Sequence, residues 1–516
     1  MYDPQQMRAL RAEVAQAVKA QDPVAALQEP PKSVEGGEAL IHVAADCAVL
    51  SEAALTRYIG TFFQRKDRAR LASAVADQRL GHPSLRAYWD FSARFRDSDP
   101  TLRLADMVAS YRTCPPGSSS RLRFVHLLCG QAFRNCEFDF ISAWTEGATD
   151  PELTSVPNRY FYGLLIGMIR DGRRALARDL LARRAPQMSA LDHLFFTVPR
   201  WMLAEREEAP PTTDALVAAL HKALPGRGPE WDWFCTAYRE KISLAGQDFT
   251  NIRMEPDRAQ ALRDIIFQAV TDAQPLSFQR MGDGAAYRMA LPDCAQGVLD
   301  MLRDDDRSRE EAWWQRTVAT ERGDFFALEV AQALQCADVL GVCSAHRLIR
   351  DAVPEVAMTA SVTGRALLAH VNALGTQVPL DDKIVTEDRA HTILYTRAFL
   401  KRLCRAARNV VVVGGLSPSQ MGLRKADDAT YIPLLPEQNK GLPVAQGAVS
   451  IVDDYEALQA RISAESGPGT LLLVSGGYVG KGLVHSGKIA GAVALDIGSR
   501  ADTLAGHHTR SPADAV

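Results

Sequence analysis

The sequence predicts two kinds of fold in one chain: an all-helical N-terminal domain over residues 1–250, then a mostly parallel, doubly wound α/β domain over residues 255–510. Three observations carry this. The first half is rich in Ala, Leu, Arg and aromatic residues, with few β-branched runs. The second half alternates short apolar runs with helix-length segments, the texture of a parallel sheet covered on both faces. Several of those runs end in glycine turns, where an α/β protein holds its ligand.

In the N-terminal half, Phe161, Leu164, Leu165 and Met168 fall at i, i+3, i+4 and i+7, the spacing of one apolar helix face. Gly172 interrupts, Leu176, Leu180 and Leu181 supply a second face, and Pro186 stops it. Two helices joined by a short turn are the unit of tetratricopeptide-like arrays, but no repeat of about 34 residues recurs. A non-repetitive helical domain is the alternative. Breaks are expected in the Pro- and Gly-rich stretches 115–120, 209–213 and 224–229.

In the second half, Leu262, Ile265, Ile266 and Ala269 share one face of a helix expected from Asp257 to Asp272. A strand from Leu276 to Met281 then runs into the turn Gly282, Asp283, Gly284 and a further helix. A carboxylate fixed there is suited to a metal or a ribose-phosphate ligand, and the glycines permit close approach and positive φ. Next come an apolar segment at 337–343, a helix from His391 to Ala407, and a strand of four valines from Asn409 ending at Gly414 and Gly415. Tyr431 to Leu435 is another short strand. Thr470 to Leu483 reads strand, glycine turn, helix, and Gly491 to Gly498 reads as a strand with Asp496 at its end. In a doubly wound sheet, Asp283 and the turns at Gly414–Gly415, Ser475–Gly477 and Asp496–Ser499 gather outside the carboxyl ends of the strands.

The turn Ser475 to Gly482 offers backbone amides and a helix N-terminus to a phosphate, with Lys481 as a point charge. It is not a Walker A loop, since Ser475 and Gly482 stand where that motif needs Gly and Ser or Thr, and it is not G-x-G-x-x-G. An ATPase and a dinucleotide oxidoreductase both lose ground. The plain alternative is a turn needed only for packing. Asp496 either anchors a ligand hydroxyl, orients a loop, or caps a helix. His507 and His508 read as a surface pair, His391 and His485 as packing or solvated residues, and Glu387 with Asp388 as acids complementing a helix dipole. No Ser-His-Asp or Cys-His signature is present.

A chain of 516 residues exceeds one ordinary core. With 47% hydrophobic and 23% charged residues it has the composition of a soluble globular protein. A formal net charge of -3 gives no electrostatic case for nucleic acid or an anionic membrane as partner, and the basic run 170–184 reads as a solvated helix face. Nine cysteines without a C-x-x-C pair fit reduced thiols better than a disulfide framework or a zinc site. The N-terminus lacks the features of a signal peptide, and the richest apolar run, Tyr160 to Ile169, is half the length of a membrane span. The expectation is a cytoplasmic protein with no integral membrane segment.

The segment Phe278 to Gly284, reading Phe-Gln-Arg-Met-Gly-Asp-Gly, resembles the aromatic-x-Arg-Phe-Gly-Asp-Gly-Glu segment of GT-D-type glycosyltransferases. The downstream Leu471 to Gly477 with Gly480-Lys481, followed by Gly491 to Ser499, looks like the closing portion of that family. The resemblance covers roughly residues 255 to 510. It implies a Rossmann-like catalytic domain that transfers a sugar from a nucleotide-diphosphate donor, most simply a UDP-sugar, to a protein or glycan acceptor, with a divalent metal (Mn or Mg). It implies a catalytic and metal-holding Asp283, a catalytic Asp496, and donor contacts from Gly282, Gly284, Gly414, Gly415, Ser475, Gly476, Gly477, Lys481 and Ser499. The family's Asp-x-Glu pair is broken here, because Ala285 stands where the glutamate belongs. Asp293, Asp496 and Asp502 are candidates to replace that hard-oxygen ligand. The helical half would present the acceptor or mediate homo-oligomerisation. Two rivals stay open: a scaffold with a degenerate, non-catalytic domain, and another Rossmann-type transferase such as a methyltransferase.

Overall fold

The computed structural model describes residues 100–135, 145, 147–204, 212–224, 228–250, 252, 256–289, 299–314, 316–344, 348, 358, 362–423, 429–436 and 444–505, and of Asp283 the backbone alone. Asp293, His507 and His508 lie outside the described residues. Asp171 closes one compact unit and Gly172 opens the second.

The first unit is helical where described, with α1 (Pro100–Thr113), α2 (Ser119–Asn135) and α3 (Asn158–Arg170) as its main elements. Phe161, Leu164, Leu165 and Met168 are fully buried, and so are Tyr162 and Ile166, so α3 is enclosed well beyond the apolar stripe legible in the sequence. Burying Glu152 in the same unit requires partners. Its carboxylate meets Arg121 Nε at 2.7 Å and accepts from Tyr111 Oη at 3.1 Å.

The second unit opens with α4 (Arg174–Arg184), which follows Gly172 at φ 76°. Further helices lead to a sheet that has eight strands among the described residues. These are β1 (Gln247–Phe249), β2 (Leu276–Arg280), β3 (Val339–Val342), β4 (Ile384–Glu387), β5 (Asn409–Gly414), β6 (Thr430–Pro433), β7 (Thr470–Ser475) and β8 (Val493–Asp496). Every pairing is parallel, in the order β1-β4-β3-β2-β8-β7-β5-β6. The expected parallel α/β domain is therefore present, and the reason lies in the side chains. Successive strand residues point to opposite faces, and both faces are buried. Val410, Val412, Leu471, Leu473, Val493 and Leu495 join one core with α5 (Pro256–Thr271) and a helix at Arg397–Ala406. The opposite face carries α6 (Thr320–Gln335) and α7 (Gly480–Ile489). Among the described residues no helix is long and apolar enough to cross a membrane.

Some elements depart from the sequence reading. Strands β1 and β4 were not expected: β1 has three residues, and β4 sits between Lys383 and Asp388 with little apolar signal. Glu387 therefore ends a strand, where a dipole-complementing acid was expected. The single helix expected from His391 is two, Ala390–Leu394 and Arg397–Ala406, because Thr396 caps the second by accepting from the Phe399 amide. After Gly282 the chain makes one 3-10 turn, Asp283–Ala286.

The topology fixes where a crevice opens. Strand β5 sends its connection outward to β6, whereas β7 sends its connection the other way to β8. Diverging connections leave a gap above the carboxyl ends of the two strands.

Candidate functional site

The pocket at that edge has a volume of about 350 Å³. Gly282, Gly284, Gly415, Ser475–Gly477, Lys481 and Ser499 all line it, so the glycine turns singled out in the sequence converge. Gly414 lies one residue back in β5, its carbonyl accepting from the Leu434 amide at 3.0 Å and from Tyr431 Oη at 3.1 Å. Asp283 stands between two lining glycines.

Each turn has its own physical cause. The freedom of φ expected of Gly282 and Gly284 is not used, since Gly282 sits at φ -76° and neither is in the left-handed region. Gly284 is needed for space: a β-carbon there would lie 3.1 Å from Cζ2 of Trp313. Gly477 does use left-handed backbone, at φ 61°, and a β-carbon on Gly476 would press into Gly480 and Ile451 at 2.9 Å. The amides of Gly476 and Gly477 make no backbone hydrogen bond among the described residues. Ser475 Oγ donates to the Gly498 carbonyl at 3.0 Å, tying the end of β7 to the turn after β8.

Beneath these turns lies a buried ion cluster. Arg280, at the end of β2, reaches Asp496 with Nε and Nη2 at 3.2 and 3.1 Å. Lys481 Nζ lies 3.5 Å from the same carboxylate. Burial alone would raise the Asp496 carboxyl, but the Arg280 and Lys481 charges outweigh it and hold it below its ordinary range. Burial lowers the Lys481 amine, with Asp496 opposing and Arg280 adding to the shift. Asp496 is therefore occupied by two internal cations, and the geometry makes it a positioning residue for Arg280. His391 plays the same part. Its ring nitrogens lie 2.9 and 3.1 Å from Arg280 Nη1, and arginine can only donate, so the ring offers it a lone pair. The guanidinium sits over Gly498, whose absent side chain leaves the room.

The sequence reading did not single out Arg309, Trp313, Trp314 or Arg389 for the site, and took Asp388 as a helix-dipole acid. All five line the pocket. Arg309, Trp313 and Trp314 come from a helix at Leu299–Trp314, and Asp388 and Arg389 follow the unexpected β4. No motif surrounds them, so only the sheet order could bring them in.

The cations of the lining are Arg280, Arg309, Arg389 and Lys481, and its carboxylates are Asp388 and Asp502. A metal that bridges a diphosphate takes one or two protein carboxylates and draws its other ligands from phosphate and water. Asp388 and Asp502 are the lining carboxylates that could contribute such a ligand. Among the described residues no group of three His, Cys, Asp or Glu forms a self-sufficient cage. Ala285, where the resembling family has glutamate, is buried and offers no ligand.

Behind Arg309 lies Asp306, 4.0 Å away, which also accepts from the Arg288 amide at 3.2 Å. Burial pushes the Asp306 carboxyl up to about 6, against those favourable partners. The folded value exceeds an unfolded value of about 3.9, so the folded state retains the extra proton and loses stability as pH rises from about 4 through 6. Asp306→Asn is expected to raise stability by about 1–2 kcal/mol at pH 7.5 with little gain at pH 4. Thermal unfolding at both pH values checks this, and an equal effect at both would rule it out.

No protein-family model, curated protein or solved structure matches this chain.

Proposed function

We propose that the chain is a glycosyltransferase whose α/β unit binds a nucleotide-diphosphate sugar in this pocket. The observation that carries the reading is the convergence of the Gly282–Gly284, Ser475–Gly477 and Gly498–Ser499 turns with four cations at one sheet edge. A leaving nucleoside diphosphate gathers negative charge on its oxygens, and fixed cations and amides aimed at it lower the barrier. Arg309 and Arg389 supply charge from two sides, Arg280 is held rigid by Asp496 and His391, and the Gly476 and Gly477 amides offer hydrogen bonds. A divalent metal, when bound, supplies further neutralisation of the diphosphate, and Asp283, Asp388 and Asp502 are the groups that would hold it. The acceptor is a protein or glycan.

A second reading, a ligand-binding protein without turnover, is favoured by the buried Ala285 in place of the family's acid. Thermal shift with UDP-sugars, GDP-sugars and S-adenosylmethionine, each with and without Mn²⁺, separates these. Stabilisation by a nucleotide sugar that Mn²⁺ enhances is expected, and Asp283→Asn is expected to abolish the Mn²⁺ enhancement. Sugar released or transferred during incubation distinguishes the enzyme from the binding protein. Stabilisation by S-adenosylmethionine alone would overturn both in favour of a methyltransferase.

A further inference from the structure

The pocket is chemically two-ended. Over β4, β2 and β8 its lining is polar and cationic, with Arg389, Arg280 and Ser499. Past the end of β6 it turns apolar, with Leu434, Leu435 and Pro436, joined by Ile451. The same pocket carries an aromatic wall. Trp313 and Tyr478 both line the pocket and stack nearly parallel, their centroids 6.1 Å apart and their planes 13° from one another. Trp314 meets Trp313 edge-on at 5.7 Å, and Tyr287 meets Tyr478 edge-on at 4.9 Å. Tyr478 is buried and its hydroxyl reaches the Tyr287 carbonyl at 3.5 Å, which locks the inner ring. Trp313 remains half-buried. Its indole rests on Gly284, the glycine that follows Asp283, so the ring is fixed against the turn the sequence marked first.

We propose that Trp313, backed by Tyr478, is the stacking platform for the nucleobase of the donor, resting on the reading of the pocket as a nucleotide-diphosphate site. A planar aromatic heterocycle gains most from a rigid ring held flat beside an apolar wall. A carbohydrate ring would instead need amide or carboxylate side chains around the indole to pair its hydroxyls. The described lining contains no Asn or Gln, the residues past β6 are Leu434, Leu435 and Pro436, and Arg309, one turn before Trp313 on the same helix, adds a cation. Arg280, Arg309, Arg389 and Lys481 line the same cavity, so one pocket offers both the flat ring and the positive charge that a nucleoside diphosphate needs.

Calorimetric titration of the full chain with UDP, inorganic pyrophosphate and a free monosaccharide, using wild type, Trp313→Phe and Trp313→Ala, tests this. Trp313→Ala is expected to weaken UDP at least about 10-fold while leaving pyrophosphate unchanged, and Trp313→Phe is expected to keep most of the UDP affinity. Unchanged UDP binding in Trp313→Ala overturns the platform and leaves the donor-site reading standing. An equal loss for UDP and pyrophosphate makes the ring merely structural, and a loss confined to the monosaccharide makes it an acceptor contact; either overturns the inference. A wild-type chain that binds pyrophosphate and UDP equally also overturns it, and one that binds neither overturns the donor-site reading as well.

Discussion

Asp496→Ala is expected to destabilise the α/β unit by about 3–5 kcal/mol, the cost of leaving buried charges without their counter-ion. The carboxylate is 5% exposed and faces two cations, Arg280 and Lys481, the latter also 5% exposed. Removing it leaves Lys481 without its counter-ion and Arg280 with only His391 and the Asp388 carbonyl as partners among the described residues. Asp496→Ala combined with Lys481→Met should recover part of the loss, because one orphaned charge is then gone. Urea unfolding followed by fluorescence measures all three chains, and a loss below about 1 kcal/mol for the single variant would show the cluster to be solvated. The pH dependence has a definite sign. The folded carboxyl lies below its unfolded value of about 3.9, so its contribution is present above that pH and is lost as acid carries the group through its folded value. The alanine variant should therefore lose this part of the acid sensitivity.

The second large effect is at Gly482. In the sequence this glycine closed a turn read either as a phosphate cradle or as a packing turn, and in the structure it faces Tyr455. A β-carbon there would collide with Tyr455 Oη and lie 3.0 Å from Cζ. Tyr455 cannot give way easily. It is fully buried, its ring meets Phe326 and Phe325 edge-on at 5.4 and 5.8 Å, and its hydroxyl donates to Glu329 at 2.9 Å. Gly482→Ala is expected to cost about 2 kcal/mol from overpacking, even after the gain of roughly 1 kcal/mol in helix propensity. Adding Tyr455→Phe removes the colliding oxygen and should restore about half. Thermal unfolding of the two single variants and the double variant gives the coupling. Strict additivity would mean that the helix shifts as a body and that the contact does not constrain it.

These two positions show what could be read in advance. The valine run of β5 and the leucine run of β7 declared themselves as buried strands, since only a doubly covered sheet tolerates such continuous apolar stretches. Their terminal glycines, with Gly282 and Gly284, marked the pocket edge before any coordinates. A packing role for Gly480 and Gly482 was one of the two readings the sequence left open, but their partners Val474 and Tyr455, from β7 and the helix Tyr455–Glu465, were not legible. Strand β4 was illegible: four residues among charges carry too little periodicity to register.

Taken alone, the sequence determined the buried strands β2, β5, β7 and β8 and the glycine and acid at their ends, because these depend on residues adjacent in the chain. The tertiary structure decided the strand order, the meeting of Arg280 with Asp496 across 216 positions, and the arrival of Trp313 over Gly284. Those pairings depend on which hydrophobic faces bury one another, a choice made by the whole core at once, and no local pattern encodes it.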